Sequence, residues 1–175
     1  MRILVTGESG CGKTTLVRRV VVSLKTRGLD VAGVVTLPRL VNGDKVGLEV
    51  EDARTGLRRI LAERAVAGEG TAELGWRFDD GGLVWGAQVL AKALPCDMLV
   101  VDELGPLELI KNEGWTVAIR ILRADTCRNA LVVVRSDLLV RFQTLVGLDW
   151  RVFAITPSNR VISLEEIVRR LTCSL

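Results

Sequence analysis

The 175-residue chain contains no histidine and no tyrosine, and only three phenylalanines and four tryptophans. The missing histidines exclude whole chemistries. No Ser-His-Asp triad, Cys-His pair or His-ligated zinc or haem site can be built. Any general base must be a carboxylate, a lysine or a thiolate. Aromatic–basic interleaving of the kind that grips nucleic acid is also missing, so no nucleic-acid partner is expected. Lys+Arg exceeds Asp+Glu by three, too small a surplus to argue for an anionic partner by itself. The four cysteines, Cys11, Cys96, Cys127 and Cys173, form no CxxC pair. That pattern suggests neither a zinc ribbon nor a redox pair and fits a reducing, cytoplasmic setting. No apolar run approaches the ~18 residues of a membrane span, so no membrane association is expected. MRILVTG at the start lacks the long apolar run of a signal peptide.

What is present is a core-forming composition: 49% of residues are hydrophobic and the mean hydropathy is +0.32, enough to offset the entropy of ordering. Ile3–Thr6 is a short β-branched run ending at Gly7. Leu16, Val20, Val21 and Leu24 then recur at helical spacing, with Gly28 as a stop. Val31–Thr36 reads as a second strand, and the Asn42-Gly43-Asp44 turn followed by Val46–Val50 as a hairpin. Arg58–Ala65 fits either a strand or a short helix. Ala67–Gly82 is glycine-rich and reads as a mobile loop. Leu83–Leu94 is helical in period. Met98–Val101 is an apolar run ending in Asp102-Glu103, the pattern of a strand buried on both faces. A helix over Trp115–Leu122, a strand over Leu131–Val134, a helix over Asp137–Val146 and a strand over Val152–Ile155 follow. Ser163-Leu-Glu-Glu166 reads as a capping box opening a last helix through Leu171. Strands alternating with helices predict an α/β fold whose central sheet is mostly parallel, with helices on both faces. No repeat or linker divides the chain, so residues 1–175 are expected to form one domain.

The most specific signal is Gly7-Glu8-Ser9-Gly10-Cys11-Gly12-Lys13-Thr14, which satisfies G-x-x-x-x-G-K-[ST] between a strand and a helix. Chance would place such a match in roughly one sequence in two hundred of this composition. The glycines permit a turn whose amides converge on one point, and the helix N-terminus adds partial positive charge there. Gly7–Thr15 is therefore the expected nucleotide-binding segment. Lys13 can neutralise the β- and γ-phosphates, the Thr14 hydroxyl is a hard oxygen ligand for Mg²⁺, and Thr15 can help hold the α-phosphate. Cys11 is expected to contribute its backbone amide; a helix N-terminus also lowers thiol pKa values, which makes oxidative inactivation a side route. Asp102, where a parallel strand emerges on the ligand side of an open sheet, is the companion acid for Mg²⁺. Glu103 is the candidate to activate an attacking water, and Glu108 is placed either in the same acidic cluster or on the surface.

These segments together resemble the P-loop nucleoside-triphosphatase family first described in thermophiles and present in humans as the cancer-related nucleoside triphosphatase. The resemblance covers nearly the whole chain. GESGCGKTTL resembles the family's loop. Gly33-Val-Val-Thr36 and Lys45-Val-Gly47-Leu48 resemble its second strand and the turn and strand after it. Asp102-Glu-Leu-Gly-Pro-Leu-Glu-Leu109 is close to its D-E-I-G-x-M-E-L, and Thr156-Pro-Ser-Asn159-Arg160 resembles its T-x-x-N-R. Asp79 aligns weakly with a family aspartate. The resemblance implies a three-layer RecA-like P-loop domain and Mg²⁺-dependent hydrolysis of ATP, GTP and other nucleoside triphosphates. Catalytic roles then fall to Lys13 and Glu103, with Arg160 as first choice for a transition-state arginine and Arg39 and Arg135 behind it. The chain departs from the family where Leu37-Pro38-Arg39 stands for T-E-E-x-R's acidic pair, and where Val134-Arg135 stands at a position often held by histidine. A GTPase is the first rival, since Asp102-Glu-Leu-Gly105 fits D-x-x-G, but the chain has no N-K-x-D. A small P-loop kinase would need an acceptor site and an arginine-rich lid. A nucleotide-dependent switch would use Arg169, Arg170 and tryptophans that look exposed, Trp76, Trp85 and Trp115. A titration step near pH 6.5 is not expected without a histidine, unless a carboxylate or thiol is perturbed.

Overall fold

The structure, a computed structural model, describes residues 1–65, 75–124 and 126–173. Its elements are β1 (Arg2–Thr6), α1 (Lys13–Lys25), β2 (Val31–Val41), β3 (Asp44–Asp52), β4 (Arg58–Arg64), β5 (Trp76–Phe78), α2 (Asp80–Ala91), β6 (Met98–Leu104), α3 (Thr116–Arg123), β7 (Ala130–Val134), α4 (Leu139–Val146), β8 (Arg151–Ala154) and α5 (Arg160–Cys173). The strands form one eight-stranded sheet in the order β5-β4-β3-β2-β6-β7-β1-β8. The five strands β2-β6-β7-β1-β8 pair in parallel. Three antiparallel strands, β3, β4 and β5, extend it on one side.

Alternation along the central strands explains the layers. In β1, Leu4 faces a core with Leu99 and Val101 of β6, while Ile3 and Val5 face a second core with Met98 and Val100. A strand buried on both faces needs apolar residues at every position, which is how β7 reads, Ala-Leu-Val-Val-Val. The first core is covered by Leu90 of α2, Leu122 of α3 and Phe142 of α4. The second is covered by Leu16 and Val20 of α1 and Ile167 and Leu171 of α5.

Three expectations are corrected and one open segment is decided. Strand β2 runs past Thr36 to Val41 and includes Pro38. Proline cannot donate to a ladder, but parallel pairing with β6 ends at Val35, so Pro38 has a strand neighbour on the β3 side only, opposite Leu48. The hairpin then closes at Asn42 and Gly43, both with positive φ, as a two-residue turn of this twist requires. The ambiguous Arg58–Ala65 segment is a strand, held to β3 partly by Arg58 Nε donating to Glu51 Oε2 at 2.6 Å. The expected loop Ala67–Gly82 contains β5 and the start of α2, where Asp79 Oδ1 caps the helix by accepting from the Gly82 amide at 2.6 Å; its residues 67–74 lie outside the described residues. Finally, α5 opens at Arg160, not at Ser163. The turn before it is closed reciprocally: Asn159 Oδ1 accepts from the Thr156 amide at 2.9 Å, and Thr156 Oγ1 accepts from the Asn159 amide at 3.3 Å. Ser163 already donates its amide to Asn159 within the helix.

Gly33 fixes how closely β2 approaches β6. It adopts φ +113°, and a Cβ there would lie 1.9 Å from the Val100 carbonyl oxygen. Gly33→Ala is therefore expected to destabilise the fold by about 3 kcal/mol or more, combining left-handed strain with a backbone clash. Urea denaturation measures it; an unchanged midpoint would show that the two strands can separate there at no cost.

Candidate active site

The site is assembled where β1 and β6 end and α1 begins. Gly12, at φ +98°, is the N-cap of α1 and offers no side chain to its amides. The first-turn N–H groups of the helix therefore have no side-chain cap, the arrangement that binds anions. A Cβ on Gly12 would lie 2.3 Å from Arg160 Nη1, so that arginine packs directly against the loop. Lys13 is buried, and its ammonium donates to the Gly7 carbonyl at 2.9 Å and the Glu8 carbonyl at 2.8 Å. An ammonium has three donors, which leaves one for a phosphate oxygen.

Thr14 Oγ1 and Asp102 Oδ1 are 3.4 Å apart, long for a hydroxyl hydrogen bond but close enough for both oxygens to share a cation. Asp102 is fully buried, and among the described residues its Oδ2 has no partner. Burial pushes its carboxyl up to about 7, with the Glu103 charge adding to the rise and Thr14, Lys13 and the Thr36 backbone opposing it. A site without histidine thus still holds a group near neutrality, the perturbed carboxylate that the sequence left as the exception. Glu103 lies at the cavity wall. Burial raises its carboxyl as well, against the charges of Lys13, Arg135 and Lys45.

Lys13, Thr14 and Glu103 share a cavity of about 580 Å³, and Asp102 lies buried next to Thr14. Of the predicted nucleotide-binding residues, Ser9, Gly10, Gly12, Lys13, Thr14 and Thr15 line it. Gly7 and Glu8 act from behind through the carbonyls that hold Lys13. Cys11 turns its side chain into the core beneath β1, as a spacer residue would. The three candidate arginines separate. Arg135 lines the cavity and forms an ion pair with Asp137 at 3.0 Å. Arg160 packs on Gly12 from outside it, and Arg39 pairs with Glu63 at 3.6 Å on the strand extension. Arg18 of α1 also lines the cavity, a residue sequence reasoning passed over because a helical arginine carries no motif.

Glu108 is not a surface charge, and it lines the same cavity as Glu103. It is buried, and its carboxylate accepts from the Gly105 amide at 3.0 Å and the Trp115 amide at 3.0 Å. It braces the segment between β6 and α3 that forms one wall of the cavity. Glu108→Ala is expected to cost about 2–4 kcal/mol, since two amides lose their acceptor, and Glu108→Gln clearly less. Chemical denaturation of both variants checks this, and equal losses would mean that the carboxylate only fills space. Trp115, expected to be exposed, is buried under α2 with its indole N–H donating to the Leu83 carbonyl at 3.2 Å.

Among the described residues no group of three or more acidic or cysteine side chains gathers as a metal cage. The donor set is instead one hydroxyl and one carboxylate at the foot of an anion-binding loop. That is what a hard divalent ion shared with phosphate oxygens requires. No helix among the described residues is long and apolar enough to cross a membrane.

Comparison with known proteins agrees with this geometry. A nucleoside-triphosphatase THEP1 of Methanosarcina acetivorans is 30% identical over 175 residues, covering 97% of this chain and 96% of the relative. A nucleoside-triphosphatase THEP1 of Methanothermobacter thermautotrophicus is 29% identical over 160 residues, covering 91% and 90%. The fold matches the crystal structure of THEP1 from Aquifex aeolicus with a TM-score of 0.74, at 21% identity and over 98% of this chain and 99% of that one. It matches the solution structure of a human cancer-related nucleoside triphosphatase with a TM-score of 0.76, at 24% identity and over 99% and 98%. The sequence pattern of the family described as NTPase matches residues 2–168. That match covers nearly the whole chain, so the chain belongs to the NTPase family.

Proposed function

We propose that the protein hydrolyses nucleoside triphosphates, ATP and GTP among them, to the diphosphate and phosphate in a Mg²⁺-dependent reaction. The observation that carries this reading is the convergence of Lys13, Thr14 and Glu103 on one cavity at an uncapped helix N-terminus, with Asp102 buried behind Thr14. The amides from Gly10 to Thr15 receive the phosphates. The Lys13 ammonium, positioned by two loop carbonyls, offsets charge on the β–γ bridge and the γ-oxygens. Thr14 Oγ1 and Asp102 are the residues that would hold Mg²⁺, and the buried, unpartnered Oδ2 of Asp102 favours a cation there. When bound, the ion neutralises charge on the phosphate oxygens. Glu103 orients a water for in-line attack and takes up its proton. Arg135, on the cavity wall, is better placed than Arg160 to meet charge that develops near Glu103. Arg160 packs against the loop at Gly12.

Phosphate release measured with ATP, GTP, CTP and UTP, with and without Mg²⁺, tests the reading. Release from several triphosphates that stops on chelation is the expected result. Turnover of GTP alone would favour a GTPase, and turnover undiminished by chelation would remove Thr14 and Asp102 from their assigned role.

A further inference from the structure

We propose that the cavity beside Glu103 is also an acceptor site, which binds a planar aromatic alcohol and passes it the γ-phosphoryl group in place of water. The inference rests on the hydrolase reading and extends it. Hydrolysis needs room for one water beside Glu103, about 30 Å³. The cavity of about 580 Å³ takes in the phosphate loop and, on the opposite side of β6 from β1 in the sheet order, a chamber walled by Leu48, Leu61, Trp76, Phe78, Leu83 and Trp115. Volumes of ~300–1,000 Å³ with apolar and aromatic walls and a few polar groups are those of small-molecule sites.

The chamber is a construction of the strands that the phosphate loop does not need. Leu48, Leu61, Trp76 and Phe78 come from the antiparallel extension β3-β4-β5, and α2 and the start of α3 close it with Leu83 and Trp115. The wall rings are held in place. Lys45 Nζ sits 4.8 Å from the Trp76 ring centroid, and the Trp115 indole is tied to Leu83. Aromatic walls suit an aromatic occupant. The polar lining sets the rest of the occupant's chemistry. Lys45 and Arg135 favour a neutral ring bearing acceptor atoms over a cationic one, and Glu103 is the carboxylate that a hydroxyl would face. The step balances without a further reagent. The alcohol oxygen forms a bond to the γ-phosphorus, the bond from that phosphorus to the β–γ bridging oxygen breaks, the nucleoside diphosphate leaves with that electron pair, and the hydroxyl proton passes to Glu103.

The test incubates the full chain with Mg²⁺ and γ-labelled ATP in the presence of benzyl alcohol, 3-pyridinemethanol or 2-naphthalenemethanol, with ethanol as the non-aromatic control. Inorganic phosphate is separated from phosphomonoester. Ester formation from at least one aromatic alcohol, and none from ethanol, is expected. Trp76→Ala should lower the ratio of ester to inorganic phosphate about tenfold, a ratio taken within one sample and so insensitive to the fraction of protein folded. Inorganic phosphate alone with every alcohol overturns the acceptor site and leaves the hydrolase reading standing. Competitive inhibition without ester overturns it too and assigns the chamber to the nucleobase. Equal transfer to ethanol overturns aromatic recognition. Neither phosphate nor ester from ATP means that the hydrolase reading has failed first.

Discussion

Replacing Lys13 with alanine is expected to lower phosphate release by about 10²–10³-fold or more, the scale on which a single preorganised charge at a transition state acts. Lys13 is buried, and its ammonium donates to the carbonyls of Gly7 and Glu8. The ammonium is therefore held by the loop it serves, and no other lysine lines that end of the cavity to replace it: Lys45, the second lysine of the lining, lies over Trp76. Removing the side chain also frees the two carbonyls, so the loop loses its brace along with its charge. The measurement is phosphate release from saturating ATP, with far-UV circular dichroism to show that the sheet is intact. Lys13→Arg should fail to rescue, because a guanidinium fork cannot keep both carbonyl bonds and still present a point charge in the same space. A Lys13→Ala protein that turns over at the parental rate would mean that the loop is a structural turn.

Glu103→Gln separates chemistry from binding. The amide keeps the shape of the carboxylate but cannot take a proton, so nucleotide affinity should persist while turnover falls by about 10²–10⁴-fold, the usual contribution of a positioned base. Glu103 faces Lys13, Arg135 and Lys45 across the cavity, and losing its negative charge leaves those cations less balanced. The triphosphate should then bind as tightly as before or more tightly. Equilibrium binding of a fluorescent ATP analogue and single-turnover phosphate release distinguish the two effects. Loss of affinity in step with loss of rate would make Glu103 a binding residue and move the base elsewhere.

The site was legible in the sequence where local chemistry is dictated by neighbours in the chain. A strand, a glycine turn and a helix start suffice to specify a strand–turn–helix loop, and Gly7–Thr15 connects β1 to α1 in that way. Asp102 and Glu103 were legible because an apolar run that ends in acids can only emerge at the ligand side of a parallel sheet. Arg160 was not, since its motif placed it near the loop without saying on which side. The structure packs it against Gly12, outside the cavity that Arg135 lines. Glu108 was not legible either. A glutamate three residues after Gly105 and seven before Trp115 carries no sign that it will bond both amides until the segment folds back.

The sequence by itself determined the elements whose signals are local: the period-2 and fully apolar strands, the phosphate loop, and the Asn42-Gly43 turn that makes β2 and β3 a hairpin. It also determined that catalysis proceeds without histidine. Only the tertiary structure decided how far β2 runs through Pro38, that Arg58–Arg64 is a strand, and that Gly81 and Gly82 lie in the first turn of a helix. Each of these depends on a partner distant in sequence: a β6 ladder that stops at Val35, a β3 edge that β4 pairs with, and the Ile60 carbonyl, which lies 2.0 Å from where a Cβ on Gly82 would be. The tertiary structure likewise decided that Asp102 titrates near neutrality. Burial sets that carboxyl, and burial belongs to the packed sheet, not to any stretch of chain.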